Sequence, residues 1–420
     1  MSLDLIKNSF ICIVKYIIAF LKWVLIAIVV GIAGGLLGSV FHICIDRVTE
    51  LRVEKSFLIY FLPVGGIVIA ALYRLFSSKG TIDTNRVIKS VRRDKNVPLV
   101  MIPLIFISTV ITHMLGGSAG REGAALQLGG SIGYNTGKAL RLKKNDMHII
   151  VMSGMSAVFA ALFGTPLTAT IFSLEVTNVG VLHYAGLLPC IISSVTASQV
   201  AKWFNLHPVH FSGIEFGNIT WHLTLQVIFV AVICAVASIL FCLAIKKSEL
   251  LMDKLLKNSF IRAFAGGIVI VLLTMLVGTR DYNGAGMDVI SRAIGGEALP
   301  WAFVLKIIFT AITIAAGFKG GEIVPAFFIG STLGCVIAPI VGLSPALGAA
   351  VGFVALFCGV VNCPIASIIL SLEVFGAEGI LFFAIATAVS YMLSGYFGLY
   401  ESQKISYSKI DDEYIDVHTK

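Results

Sequence analysis

Long apolar stretches recur along nearly the whole chain and are separated by short polar segments. A helix must run for about 20 apolar residues to cross the roughly 30 Å hydrocarbon core of a bilayer. The clearest stretches are Trp23–Val40, Phe57–Leu75, Val97–Leu115, Leu223–Ile245 and Ala263–Val277. The pattern predicts an all-α polytopic membrane protein.

Glycine and proline interrupt many of these stretches, and the chain has 41 glycines. In lipid, broken backbone is tolerated only where it is buried in protein or lines a cavity. We therefore expect discontinuous helices. For the glycine-rich segment Gly31–Gly38 we expect close helix packing rather than a binding site.

Composition supports a lipid environment, since 57% of residues are hydrophobic and only 13% are charged. The net charge of +8 comes from basic residues in short loops and ends, which is typical of topology signals and not of a nucleic-acid surface. If these loops face the cytoplasm, both termini lie there as well. The basic residues are Lys7, Lys15, Lys22, Lys138, Arg141, Lys143, Lys144, Lys246, Lys247, Lys254, Lys257 and Arg262.

The N-terminal apolar run continues into a full-length span without a clear cleavage site, which favours an uncleaved first helix over a signal peptide. The eight cysteines are scattered singly and mostly within apolar runs. This spacing indicates small buried hydrophobic residues rather than metal ligands or disulfides. The histidines form no metal motif, and we expect no cofactor.

An internal repeat is the most informative feature of the sequence. The segment GREGAALQLGGSIG, from Gly120, matches GGEIVPAFFIGSTLG, from Gly320. A second pair follows in the same order, with SLEV at Ser173–Val176 and again at Ser371–Val374. Two matched blocks in order predict two homologous halves.

The repeat divides the chain into five parts. They are a cytoplasmic N-terminal segment and helix (1–24), a first membrane repeat (25–209), a hinge (210–219), a second membrane repeat (220–400) and a cytoplasmic tail (401–420). Transporters built from two repeats place their site near the midplane, where discontinuous helices from both halves meet.

Glu122 and Glu322 occupy equivalent positions of the repeat, each after a glycine-rich approach and at the start of an apolar run. An ionisable residue inside lipid indicates a functional site. The N–H groups and dipole of a helix start favour anions, and a side-chain carboxylate can compete for the same place. Such a glutamate can couple anion movement to proton movement. The alternative is a glutamate that only complements the helix dipole.

Other charged residues near these motifs are less distinctive. Arg121 is either a site cation or a packing residue whose charge reaches the interface. For Glu175 and Glu373, at matched helix ends, we favour a structural role in satisfying nearby backbone.

With GREG at Gly120–Gly123, GGEIVP at Gly320–Pro325, the two SLEV helices and GLY at Gly398–Tyr400, the chain resembles the CLC family of chloride channels and anion/proton antiporters. The resemblance implies an inverted-topology repeat of tilted, partly broken helices. It also implies a homodimer in a bacterial cell (inner) membrane, with one anion pathway in each subunit.

By position, Glu122 matches the gating glutamate that carries the proton, and Tyr400 matches the tyrosine on the inner side of the central anion site. Backbone N–H groups of Gly320–Val324 match the second helix start. The further anion-binding candidates are Thr84, Asn85, Gly120, Arg121, Gly123, Gly321, Ile323 and Val324.

At three positions the chain differs from the chloride-transporting members of the family. Glu322 replaces a bulky apolar residue and resembles the fluoride/proton antiporter branch. Val176 stands where chloride/proton exchangers keep an internal proton-transfer glutamate, and Ala124 replaces a proline common in chloride members. Because fluoride is a strong hydrogen-bond acceptor, a protonated carboxyl at Glu322 suits it. The resemblance thus favours fluoride export in exchange for protons, with a chloride transporter or passive chloride channel as the alternative.

The loop Gly80–Arg86 departs from the resemblance, because it has neither the serine of chloride members nor the methionine of many fluoride members. Thr84 and Asn85 can supply donors, whereas Asp83 repels an anion unless it faces away. An ordinary helix-start cap is the alternative.

Two unrelated functions are disfavoured. Gly116–Gly120 satisfies the G-x-S-x-G pattern of serine hydrolases around Ser118, with His113 nearby, but without the strand-to-helix context that the motif needs. The segment GYNTGKA at Gly133–Ala139 has the wrong spacing for a nucleotide-binding P-loop.

Overall fold

The computed structural model describes residues 3–76, 83–92 and 95–420, with side chains from residue 11 onwards. The topology marker Lys7 and loop residues 80–82 therefore lie outside the described side chains. Within this part, the chain forms sixteen α-helices and one small sheet.

Each half contributes eight helices. The first half contains α1 (Leu3–Glu54), α2 (Leu62–Phe76), α3 (Thr84–Arg92), α4 (Met101–Leu115), α5 (Glu122–Ala139), α6 (Lys144–Phe163), α7 (Pro166–Glu175) and α8 (Leu187–Trp203). The second half contains α9 (Trp221–Leu255), α10 (Ser259–Val277), α11 (Met287–Ile294), α12 (Ala302–Ala315), α13 (Ile323–Ile337), α14 (Pro345–Val361), α15 (Pro364–Phe375) and α16 (Ile380–Leu393). The equal helix count follows the sequence repeat.

The helices differ in how much of a membrane they can cross. Seven helical segments in the described chain are long and apolar enough to span it, and five further apolar helices have only 10–17 residues. The five include α15, and both α15 and the 10-residue α7 begin at a proline after a break in the chain. Proline fits the first turn of a helix because that position needs no N–H donor. The predicted discontinuous helices are confirmed.

Glycines of α1 let it approach α6 and α8 closely. A Cβ at Gly34 would lie 2.7 Å from the Cβ of Ala157, and one at Gly38 would lie 2.7 Å from the Cβ of Ala161. Real Cβ atoms do not approach so closely, so both positions require glycine. The predicted packing role of the Gly31–Gly38 segment is confirmed.

The halves exchange helix caps through the two SLEV glutamates. The Glu373 carboxylate accepts from the N–H groups of Leu167 (3.0 Å) and Thr168 (2.8 Å), at the start of α7. The Glu175 carboxylate accepts from the N–H groups of Ile365 (3.2 Å) and Ala366 (2.9 Å), at the start of α15. The structural role predicted for both is confirmed, and the backbone that each satisfies belongs to the other half.

We expect Glu373→Ala to destabilise the protein by roughly 2 kcal/mol, since it removes a charged cap that also accepts a 2.6 Å bond from the Thr168 hydroxyl. Thermal unfolding in detergent measures the effect. The exposed residue Glu378, nearby in sequence, provides the control Glu378→Ala, which we expect to unfold as the wild type does. Equal unfolding of all three proteins would contradict the capping role.

The sequence did not predict a three-stranded sheet at one end of the bundle. It consists of β1 (Asn178–Val179), β2 (Lys404–Tyr407) and β3 (Tyr414–His418), in the order β1-β2-β3. β1 pairs with β2 in parallel and β2 pairs with β3 antiparallel. The segment after Tyr400 is thus folded onto the membrane helices.

The cysteines lie largely where the sequence indicated. All eight are free, and six of them are buried within the helical bundle. Cys12 is exposed on α1 and Cys44 is partly buried. The prediction that most are small buried hydrophobic residues is confirmed.

Candidate functional site

The two glycine-rich loops of the repeat meet through reciprocal backbone hydrogen bonds. The N–H of Gly120 donates to the carbonyl of Gly321 at 2.6 Å, and the N–H of Gly321 donates to the carbonyl of Gly120 at 2.7 Å. A side chain at Gly120 would overlap the Glu122 carboxylate, and a Cβ at Gly321 would lie 2.5 Å from the backbone nitrogen of Gly123. Glycine is therefore required for the crossing, which brings the starts of α5 and α13 together.

Glu122, the first residue of α5, is fully buried. Its Oε2 accepts from the N–H of Val324 at 3.4 Å, in the first turn of α13. Its Oε1 has no hydrogen-bond partner among the described residues. The carboxylate of the first half therefore lies at the helix start of the second half, where N–H groups and the dipole favour an anion.

Glu322 precedes α13 as its N-cap residue and is partly buried. Its Oε2 lies 3.6 Å from the position of a Cβ built on Gly123, in the first turn of α5. Each glutamate thus lies against the helix start of the other half. Glu322 and Glu122 lie within electrostatic range of each other, so two negative charges in this buried site oppose one another.

Tyr400 is buried, and its hydroxyl has no hydrogen-bond partner in the described part of the chain. The Tyr400 hydroxyl is close enough to Glu122 and Glu322 to interact with their charges. Its backbone is fixed by the tail, because the Tyr400 carbonyl accepts from the hydroxyl of Thr419 (2.6 Å) and from the N–H of Gln403 (2.8 Å). The segment after Tyr400 therefore holds the backbone from which its ring projects.

The first-half loop contributes only partly to the site. The Thr84 hydroxyl donates to the carbonyl of Gly123 at 3.4 Å and accepts from Gln127 at 3.0 Å. The Asn85 side-chain oxygen accepts from the N–H of Ser402 at 2.9 Å, beside Tyr400. The structure thus brings Thr84 to the start of α5, whereas Asn85 holds the tail.

Asp83 and Arg121 both have local partners. The Asp83 carboxylate accepts from the N–H of Arg86 at 2.8 Å and so caps α3, which is the helix-start alternative considered above. The Arg121 guanidinium donates to Asp46 at 3.0 Å, and His42 lies 3.0 Å from the same carboxylate. Arg121 is therefore an ion-pair partner of α1 in the wall of the site.

One cavity reaches Glu122, and a second contains a lysine near Glu322. The first, of about 300 Å³, is lined by Glu122, Val324 and three arginines, and we name it the Arg52 cavity. The arginines are Arg52, Arg121 and Arg280. The second, of about 420 Å³, is lined by Tyr73, Arg262 and Lys319, and we name it the Lys319 cavity. The Lys319 ammonium lies 4.5 Å from the centre of the Tyr73 ring and within electrostatic range of Glu322.

Several buried charged residues near the site were not predicted from the sequence. Lys306 is fully buried on α12 and donates to the carbonyls of Tyr282 (3.3 Å) and Gly284 (2.7 Å). Arg52 donates to the His113 carbonyl at 2.8 Å. An ionisable residue within an apolar helix is itself a signal of function, so Lys306 was identifiable from the sequence.

The residues of the G-x-S-x-G segment do not form a hydrolase pair. The Ser118 hydroxyl shares a hydrogen bond with the Thr310 hydroxyl at 3.0 Å, and His113 Nδ1 is 2.9 Å from the Thr109 carbonyl. A serine nucleophile needs a base within hydrogen-bond reach. Within the described residues, Ser118 is not so paired.

Comparison with known proteins agrees with this geometry. The family model described as voltage gated chloride channel (Voltage_CLC) matches residues 65–395. A chloride/fluoride channel protein of Pseudomonas syringae pv. tomato is 34% identical over 395 residues, covering 92% of this chain and 87% of the relative. The H(+)/Cl(-) exchange transporter ClcA of Vibrio vulnificus is 24% identical over 385 residues, covering 83% of this chain and 81% of that protein.

A solved structure is also similar. The crystal structure of a CLC-type fluoride/proton antiporter superposes with a TM-score of 0.87 at 31% identity, covering 92% of this chain and 98% of that chain. The predicted fold class and family are confirmed. The chain belongs to the CLC family of multi-pass membrane transport proteins.

Proposed function

We propose that this protein is a secondary-active antiporter that exports fluoride in exchange for protons. One observation carries the proposal. Glu122 of the first half lies at the start of α13, and Glu322 of the second half lies beside the start of α5. Each helix start is an anion site, and each is contacted by a carboxylate that can leave when it is protonated.

Glu122 is the gate in this mechanism. As an ionised carboxylate it accepts from the Val324 N–H and excludes a free anion from the start of α13. Protonation removes its charge, and the neutral side chain yields the position to fluoride. Because the same group blocks the anion and carries the proton, the two movements are coupled in opposite directions.

Glu322 supplies the selectivity. Fluoride is small and strongly hydrated, so a site that removes its water must offer strong donors. A protonated Glu322 presents an O–H to the anion, while the backbone N–H groups of Ile323 and Val324 and the Tyr400 hydroxyl complete the set of donors. The unpartnered Tyr400 hydroxyl supports this role. Thr84, Gly120, Gly123 and Gly321 shape the backbone around the anion, whereas Asn85 and Arg121 act through their contacts with the tail and α1.

The proton leaves the site on the side of the Lys319 cavity. Val176 replaces the inner glutamate of chloride exchangers, so Glu322 is the carboxyl available to pass the proton inward. The positive charge of Lys319 lies near Glu322 and Glu249, so it compensates the negative charge that the departing proton leaves behind.

We propose that the protein is a homodimer in a bacterial inner membrane, with both termini in the cytoplasm. The basic segments support this orientation. Lys22 on α1 pairs with Asp146 at the start of α6 at 2.5 Å, and Lys246 on α9 pairs with Glu401 of the tail at 2.8 Å. Each pair joins a basic segment to a neighbouring element, and basic segments are retained on the cytoplasmic side. Protease cleavage of a C-terminal tag in right-side-out vesicles would contradict a cytoplasmic tail.

The second candidate function is a chloride/proton antiporter or passive chloride channel of the same fold. The match to an H(+)/Cl(-) exchange transporter supports it. The Glu322 side chain favours fluoride, because the chloride members that the sequence resembles have a bulky apolar residue there.

Paired fluxes on purified protein in liposomes test the proposed function. Under a fluoride gradient we expect fluoride release to drive proton uptake, with chloride competing weakly because it accepts hydrogen bonds less strongly. A fluoride electrode and an external pH electrode record both ions together. Protein-free liposomes provide the control. Chloride transport equal to or faster than fluoride transport would contradict the substrate, and fluoride release without proton movement would contradict the exchange.

A further inference from the structure

His113 is a buried histidine of α4 that the proposed mechanism leaves without a role. His113 and Glu122 both line the Arg52 cavity. The residue is 1% exposed, and its Nε2 has no hydrogen-bond partner among the described residues. An unpartnered buried nitrogen costs free energy unless something else bonds it. The same cavity thus contains two unpartnered atoms, Nε2 of His113 and Oε1 of Glu122.

The tautomer of His113 follows from its other nitrogen. Nδ1 lies 2.9 Å from the Thr109 carbonyl oxygen, which can only accept. Nδ1 therefore carries the proton, and Nε2 of the neutral ring presents a lone pair. The ring is an acceptor on the side of the cavity.

The cations around the ring cannot accept a hydrogen bond. Cations approach from three elements, Arg52 on α1, Arg121 before α5 and Lys306 on α12, and all three have donors but no acceptor. The cavity is further lined by Asp46 on α1, by Arg280 and Asp281 between α10 and α11, and by Asp288 in the first turn of α11. The Asp288 charge attracts that of Arg52. Asp46 already accepts from Arg121 (3.0 Å), and Asp281 already accepts from Arg292 (2.7 Å).

We propose that His113 Nε2 accepts the hydrogen bond of the protonated Glu122 carboxyl when this carboxyl has left the start of α13. The inference deepens the proposed function and rests on Glu122 as the proton carrier. The Glu122 O–H donates to Nε2 without transfer of the proton, so the ring stays neutral and no charge is added among the arginines. His113 thereby holds the neutral gate in the Arg52 cavity while fluoride occupies the pathway.

The test compares His113→Phe, which removes the acceptor at similar volume, with His113→Gln, whose side-chain oxygen lies near the former Nε2. We expect His113→Phe to lower fluoride-coupled proton uptake in liposomes about tenfold, and to move its dependence on external pH about one unit to the acid side, because one hydrogen bond to the protonated gate is lost. We expect His113→Gln to retain most of the wild-type rate and pH profile. His183→Phe, in a different cavity, is the matched control.

The background Glu122→Ala separates this inference from the function on which it rests. There we expect an uncoupled fluoride flux that His113→Phe leaves unchanged, since no carboxyl remains to bond. An equal slowing in both backgrounds would assign His113 to the anion path and overturn the proposal. Proton coupling that survives Glu122→Ala would instead overturn the proposed function.

A measurement on the folded, unmutated ring complements the variants. With 15N-labelled histidine, we expect the Nε2 resonance of His113 to move on acidification in wild-type protein and to stay fixed in Glu122→Ala. A resonance that does not respond to acid in wild-type protein would overturn the proposal even if His113→Phe fails to fold.

Discussion

Substitution of Glu122 by Gln is expected to abolish fluoride-driven proton uptake, with a loss of at least about 100-fold, the range expected when a positioned proton carrier is removed. The amide preserves the shape of the side chain and resembles its neutral, protonated form. It cannot gain or lose a proton under the assay conditions, so anion movement no longer carries one. Proton uptake and fluoride release are measured together in liposomes.

The control for this variant is an exposed glutamate outside the membrane helices, Glu215→Gln in the hinge, which should transport as the wild type does. A residual fluoride flux in Glu122→Gln should be independent of an imposed pH gradient. If Glu122→Gln instead retains fluoride-driven proton movement at the wild-type ratio, Glu122 is not the proton carrier.

Substitution of Glu322 by Ile is expected to reduce the preference for fluoride over chloride by about 10- to 100-fold, which corresponds to the loss of one hydrogen bond from a strong donor to a charged partner. Isoleucine reproduces the bulky apolar residue of the chloride members. It removes the O–H that replaces the water of fluoride, and this matters less to chloride because chloride is less strongly hydrated. Competition between the two halides in the flux assay gives the ratio.

The variant Glu322→Gln distinguishes selectivity from coupling at this position. Its amide N–H can still donate to the anion, so the preference for fluoride should largely persist, while proton movement should fall because the side chain no longer titrates. Retention of full fluoride preference in Glu322→Ile would exclude Glu322 as the selectivity residue.

The repeat in the sequence was sufficient to find both glutamates and to predict that two half-sites meet. The periodic apolar stretches predicted the helices well, because lipid leaves the backbone few alternatives to a helix. The sequence also predicted that Glu175 and Glu373 satisfy backbone groups. It did not predict that the glutamates of each pair cross to the opposite half, since this depends on how the halves dock.

The features that sequence reasoning missed depend on contacts between distant residues. β1 has only two residues, and its partner β2 lies more than 200 positions later. The local sequence pattern therefore does not predict the sheet. Lys306 donates to backbone carbonyls and not to a carboxylate. These carbonyls belong to the loop after α10, and the sequence does not show that this loop lies beside α12. His113 was noticed only as a possible hydrolase residue, and its tautomer required the Thr109 contact.

The exchanged caps have a consequence for synthesis of the chain. The Leu167 N–H at the start of α7 gains its acceptor only when Glu373 has been synthesised, 206 residues later in the sequence. At about 5–20 residues per second, the ribosome takes roughly 10–40 s to make that stretch. During this interval the first half has been translated, yet one of its helices has unsatisfied N–H groups at its start. The first half therefore cannot complete its hydrogen bonds alone. Its α7 start has to remain inside the membrane without its cap until the second half is inserted.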